Sequence, residues 1–576
     1  GCFNNAIGDH SLWNNTTGCC NNAIGQNALY SNIAGCYNQA IGNQTLYANT
    51  SGHYNTAIGN YALADNTTGC HNAAIGSSAL KKNTTGCHSF AAGNYALNSN
   101  TTGNYNQAIG YAALQNNTIG VNNTAIGSNA LYSNTEGDYN TAIGYYALRA
   151  NTEADYNTAI GRMALCANTT GYYNTAIGCG ALRCNIDGEY NTALGRAALY
   201  TSLSGDHNFA VGHCSLYNNW GGCHNAAIGA NALRANTTGC YNTAIGWCSL
   251  LNNTTGGRNT AVGCAALTLN TTGSYNTAIG EGALACNTEG DKNTAIGCGA
   301  LQANTTGNSN AAIGCLALVR NTEGFGNTGI GQTSLCNNTT GGYNTAIGAY
   351  TMQSSTEGDH NHAMGYFSLA NNTTGSYNTG IGCGTLHSNT TGNCNIAIGK
   401  QALCENTTGC YNTAMGHNAL FSSLTGCHNF AAGQCALYSN SGGHYNIGIG
   451  YLALKCNTTG DYNTAIGYQS LRQNTTGHRN FASGENALLS NTTGYYNHAI
   501  GANAMRCNTI GAYNNAIGSD NLRANTEGNY NSVLGYRSLN CNTTGNCNTA
   551  IGYQSLRQNT TGSDNFAVGG HALECN

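Results

Sequence analysis

A glycine returns every 17 residues, from Gly8 to Gly569, with no insertion or deletion anywhere in the series. A second glycine opens each unit from Gly1 to Gly562 and fails once, at Ala154. Counted from that opening glycine as position 1, the unit reads G-x-Y-N-T-A-I-G-x-x-A-L-x-x-N-T-T, and it occurs 34 times. A strict period with two fixed glycine corners and no 3.6-residue apolar spacing predicts an all-β fold. Each unit forms one coil of a parallel β-solenoid. At about 4.8 Å per coil, residues 1–576 would form one continuous rod about 160 Å long.

The chain has no proline, as expected if nearly every backbone N–H donates to a neighbouring coil. Charged residues make up 7% of it, against a usual ~25%, which argues against ordinary globular domains. With a net charge of −4 and no basic run, the sequence argues against nucleic acid as a partner. No apolar stretch reaches the ~20 residues of a membrane span, so no membrane insertion is expected. The chain opens at Gly1 rather than at a methionine, and it reads as a segment of a longer or processed polypeptide.

Position 5 carries Phe at Phe90, Phe209, Phe430, Phe481 and Phe566. Two residues on, the same coils carry Ala92, Val211, Ala432, Ser483 and Val568, where Ile, Leu or Met is the rule. Residues i and i+2 of a strand share a face, so a large side chain is being offset by a small one. That predicts a buried face. Position 6, Ala or Gly in all coils but the one with Val533, points the other way and is also confined. A strand covered on both faces would need packing inside the coil and a second layer outside it, such as another chain. Position 12 is Leu except at Met352 and Met505, a hydrophobic ladder. Asn at positions 4 and 15 predicts stacked amide ladders at the turns, with the glycine of "NTTG" supplying a positive φ.

The runs "NTAIGSNAL" (123–131) and "NTAIGYYAL" (140–148), with their recurring A-I-G-x-x-A, resemble the head repeats of trimeric autotransporter adhesins and of some tail-fibre-like proteins. The resemblance covers the whole chain through one short motif. It implies a left-handed parallel β-roll, three chains side by side, an adhesive surface role and no catalytic residues. The 17-residue unit is longer than the usual coil of that family.

Cysteines, 29 in all, occupy only positions 2, 3, 9, 10, 13 and 14. Several repeat on successive coils: Cys2, Cys19 and Cys36; Cys70 and Cys87; Cys223 and Cys240; Cys298 and Cys315; Cys410 and Cys427. Stacked Cα atoms about 4.8 Å apart lie within disulfide range. The columns read either as rung-to-rung staples suited to an extracellular protein or as free thiols on a variable surface. Cys70-His71 followed by Cys87-His88 places four soft ligands on two rungs, but neighbouring side chains diverge and no CxxC spacing supports a zinc site. No metal or other cofactor is expected.

Tyr139, Tyr156, Tyr173 and Tyr190 form an unbroken file at position 3. They read as a stacking ladder, or as an aromatic stripe for sugars or a partner chain. "NTT" is also a glycosylation sequon, at Asn15, Asn66, Asn83, Asn100, Asn168, Asn236, Asn253, Asn270 and others. Turn chemistry explains the same motif, and an inward Asn would be closed to a glycan.

No nucleophile with a base, spaced carboxylate pair or phosphate loop stands out, so the expectation is not an enzyme. A polysaccharide-processing solenoid would need an irregular, acidic coil. The leading expectation is a structural and adhesive fibre segment, extracellular or on a cell or virion surface. It would self-associate as a homotrimer or fibril and meet a surface glycan or matrix ligand at its variable corners. An ice-binding or glycan-binding solenoid is the alternative, although the Phe substitutions interrupt any regular outward Thr array.

Overall fold

The computed structural model describes residues 1–575, in two compact units, Gly1–Asp291 and Lys292–Asn576. The chain is an all-β solenoid of 34 short strands. The first unit holds β1 (Asn5–Ile7) through β17 (Thr277–Ile279), and the second β18 (Thr294–Ile296) through β34 (Phe566–Val568). Each coil contributes one strand at positions 5–7; only Ser532–Tyr536 and Thr549–Tyr553 run to five residues. Within each unit successive strands pair in parallel with no shift of register. Thr158 sits opposite Thr175, and Thr345 opposite His362. One 17-residue step therefore stacks every position on itself.

Hydrogen bonds between coils extend well beyond the strands. The N–H groups of Leu80, Lys82 and Thr84 donate to Ala96, Asn98 and Thr101 of the next coil at 2.9 Å. Those of His88, Gly93 and Tyr95 donate to Cys70, Ile75 and Ser77 of the preceding coil at 2.8–3.0 Å. A proline at any of these positions would delete an inter-coil bond, which accounts for its absence.

The coil interior is filled by the position-6 Ala and by Ala or a small polar residue at position 11. The position-12 Leu and the Asn of positions 4 and 15 complete it. Ala74, Ala79, Leu80 and Asn83 are all fully buried. Every described position-12 side chain has a left-handed backbone, Leu80 at φ 50° and Met352 at φ 48°. That conformation costs about 1–2 kcal/mol in an L-residue. Burying a leucine contributes about 1.5–3 kcal/mol, and the turned backbone is what aims that side chain inward. Burial therefore offsets the strain.

Two expectations are corrected here. The opening glycine of each unit does not supply a positive φ. At Gly69 the constraint is space: a Cβ would lie 2.4 Å from the Gly86 carbonyl oxygen and 2.5 Å from Asn66 Oδ1. The positive φ belongs to the other glycine, as at Gly76 (φ 132°), and to non-glycine residues at positions 3, 10 and 12.

The second correction concerns the strand faces. The face carrying positions 5 and 7 is not buried within the chain. Ala74 of β5 (Ala73–Ile75) is fully buried, while Ile75 is 43% exposed. Phe209 is 41% exposed, and Phe430 and Ala432 are half-buried. The lumen is already filled by Leu and two Asn, so it admits only a methyl group from the strand. The larger Thr, Phe and Ile must point outward. The compensation between positions 5 and 7 is therefore made on an outer surface.

Candidate functional site

Whatever this chain contacts must meet its corners and the outer strand face, because the interior holds no chemistry beyond packing and amide ladders. In the inner ladder Asn66 Nδ2 donates to Asn49 Oδ1 at 2.8 Å and to the Gly69 carbonyl at 3.0 Å. Asn83, Asn100, Asn168, Asn236, Asn253 and Asn270 repeat that pattern, and all are fully buried. Both amide hydrogens of each are committed, so the folded coils offer no acceptor amide for a glycan at these sequons. Asn15, in the first coil, is half-buried and donates to the Gly18 carbonyl at 3.1 Å. The threonine after each ladder Asn has its own role: Thr67 Oγ1 donates to the Thr84 carbonyl at 3.0 Å.

Position 2 lines a corner where the backbone N–H has no carbonyl partner. The position-2 side chain of the following coil supplies the acceptor. Cys70 N–H donates to Cys87 Sγ at 3.1 Å, Asp138 N–H to Asp155 Oδ1 at 2.6 Å, and Cys427 N–H to His444 Nδ1 at 3.0 Å. The clustering of Cys, Asp, Asn, Ser and His at this position thus follows from one shared ability to accept a hydrogen bond. Sequence reasoning missed this. The signal was present, because these residue types recur at position 2 and share little else.

All 29 cysteines carry free thiols. Cys2 is exposed; Cys19, Cys36, Cys70, Cys87, Cys223, Cys240, Cys410 and Cys427 are half-buried; Cys298 and Cys315 are exposed at another corner. Cys19 Sγ approaches Cys36 Sγ to 3.1 Å. That neighbouring sulfur, with desolvation, pushes the Cys19 thiol up to about 11. Cys248 departs from the surface pattern and is buried. Cys70 and Cys87 share the position-2 column, whereas His71 and His88 stack ring on ring at 4.9 Å beside it. Among the described residues no group of three or more His, Cys, Asp or Glu is placed to hold a metal ion.

Position 3 is a stacking ladder. Tyr139, Tyr156, Tyr173 and Tyr190 lie face to face with centroids 4.9–5.1 Å apart and planes within 9°. The stack continues through His207 and His224 to Tyr241. Desolvation in the stack and the flanking phenols of Tyr173 and Tyr139 push the Tyr156 hydroxyl above its ordinary range. Each ring face within the file is covered by the next ring, so the file presents edges and hydroxyls outward. Flat sugar stacking along it has no free face.

The chain matches no known protein-family model and no curated protein. Among the described residues no helix is long and apolar enough to cross a membrane.

Proposed function

We propose that this chain is a structural and adhesive segment of an extracellular fibre or surface appendage, on a cell or virion, and that it is not an enzyme. The observation that carries the reading is the division of labour within each coil. Buried positions 4, 6, 12 and 15 scarcely vary, while positions 2, 3, 9, 10, 13 and 14, most of them half-buried or exposed, change from coil to coil. A scaffold whose stacking is fixed can alter its surface without losing its fold.

Self-association through the outer strand face belongs to the same proposal. Positions 5 and 7 exchange volume as packed neighbours do, yet a single chain leaves them facing solvent. Ile228, Ile245 and Ile279, all in the first unit, are 38–40% exposed. Contiguous apolar surface of this kind marks an interaction site, and a second copy would cover it with an identical ladder in matching register. The resemblance to adhesin head repeats agrees with a homotrimer; a fibril uses the same face.

Light scattering after size exclusion tests this. A native mass near three times 59.4 kDa, lowered to one chain's mass by Ile245→Asp and Ile279→Asp together, is the expected result. A monomer at micromolar concentration would remove the interface and, with it, the support for a fibre.

A further inference from the structure

Basic residues are scarce, 18 Lys and Arg in 576 residues, yet four arginines converge on one cavity of about 500 Å³ in the first unit. Its two walls and floor are columns of the solenoid. One wall is the position-9 column with Arg162, Arg196 and His213. The floor is the position-10 column, where Gly180, Ala197 and Cys214 are small. Elsewhere position 10 is often large, as at Tyr146 and Tyr350.

The opposite wall is the position-13 column, in which Arg183, Tyr200, Tyr217 and Arg234 follow one another on successive coils. Tyr200 and Tyr217 stack at 5.0 Å with planes 3° apart. Arg183 lies over Tyr200 at 5.4 Å and donates to its hydroxyl, while Arg234 lies over Tyr217 at 5.8 Å. Among the described residues no carboxylate lies within ion-pair distance of any of the four guanidinium groups. The nearby acids, Glu153, Asp155, Asp187 and Glu189, stand at positions 17 and 2, on another corner of the coil. The groove therefore gathers positive charge that the protein does not neutralise.

We infer that this groove is a binding site for an acidic oligosaccharide, with its carboxylate or sulfate groups held by Arg162, Arg183, Arg196 and Arg234. Guanidinium groups match such oxyanions in geometry and charge. Arg162 and Arg196 are two coils apart, about 10 Å, so they space anionic groups along an extended chain rather than clamp one ion. A volume of about 500 Å³ suits a few sugar units. Single-stranded nucleic acid needs free aromatic faces for its bases. Here the faces of Tyr200 and Tyr217 are covered by each other and by arginine, leaving hydroxyl-bearing edges that suit sugar hydroxyls. The inference stands apart from the fibre reading, since a single chain carries the whole groove.

Calorimetry of the 576-residue chain with defined probes tests it. The probes are a heparin-derived hexasaccharide, a hexagalacturonate, neutral dextran oligomers and a twelve-nucleotide oligothymidylate. Binding of at least one acidic sugar, weakened by salt, with none of dextran, is expected; the two acidic probes distinguish sulfate from carboxylate recognition. Arg162→Gln with Arg196→Gln should weaken binding by about tenfold or more. Arg472→Gln with Arg506→Gln, the same charge change in the other unit, should leave it unchanged. Ala197→Tyr fills the floor while keeping every charge, at a position where this chain already carries tyrosine, and should abolish binding. Circular dichroism confirms that each variant is folded. Indifference to Ala197→Tyr, oligothymidylate binding as tight as the acidic sugars, or no binding of either acidic probe would overturn the assignment.

Discussion

One coil on from Asn185 the inner ladder carries Ser202, and neither Asn185 Oδ1 nor the Ser202 hydroxyl has a hydrogen-bond partner. The same break recurs between Asn338 and Ser355 and between Asn406 and Ser423. Everywhere else in the described ladder the incoming group is an asparagine amide. A buried acceptor left without a donor costs about 1–3 kcal/mol.

Restoring the amide should therefore stabilise the protein. Ser202→Asn, Ser355→Asn and Ser423→Asn are each expected to add about 1 kcal/mol or more. The gains should be additive, because the sites are far apart in sequence and share no partners. Urea unfolding of the single and triple variants measures this; unchanged midpoints would mean that the gaps are already satisfied.

The two faces of one strand should respond oppositely to added bulk. In β15 (Thr243–Ile245), Ala244 is fully buried and its neighbours are not. Ala244→Leu is expected to cost about 1–3 kcal/mol or more through overpacking. Thr243→Phe together with Ile245→Ala copies the pair Phe430 and Ala432, and should change stability by less than about 0.5 kcal/mol. Equal sensitivity at both sites would contradict the assignment of faces.

A glycine at the other corner should be irreplaceable. At Gly76 (φ 132°) a Cβ would lie 2.7 Å from the backbone carbon and oxygen of Gly93. Gly76→Ala combines a forbidden conformation with a backbone clash. A loss of more than about 3 kcal/mol is expected, read as a local unfolding step by hydrogen exchange around residues 59–93.

The position-2 column should accept any hydrogen-bond acceptor. Cys87→Ala removes the partner of the Cys70 N–H and should cost about 0.5–1.5 kcal/mol, whereas Cys87→Asp should restore it, as Asp155 does for Asp138. Thermal unfolding of the two variants distinguishes acceptor chemistry from a requirement for sulfur.

Cys19 should be a sluggish nucleophile. With its thiol pushed up to about 11 by Cys36, the reactive thiolate is scarce below that pH. Its fraction near pH 8 is about a hundredfold below that of an ordinary cysteine thiol. Iodoacetamide labelling followed by peptide mass spectrometry should show Cys19 reacting slowly at pH 8 and much faster in Cys36→Ala. An undiminished rate in the parent protein would show that the two sulfurs do not interact in solution. A Cys19–Cys36 bridge would appear in the same experiment as material closed to alkylation until reduced.

Much of this structure was legible in the sequence. A period without insertions dictates that each position stacks on itself. Stacking on itself in turn makes Asn83 repeat Asn66, Tyr156 repeat Tyr139 and Leu80 repeat Leu63. What the sequence left open was direction. A strand of Thr-Ala-Ile offers two plausible faces, and a period of two cannot say which is inside. That was decided by the space left in the coil once Leu80, Asn72 and Asn83 had been placed there, which admits the methyl of Ala74 but not the side chain of Ile75. The left-handed backbone at Leu80 was equally silent, because leucine has no local preference for it. The same holds for the groove: Arg162 and Arg234 lie far apart in sequence with no basic run between them, and only the coiling of the chain sets them around one cavity.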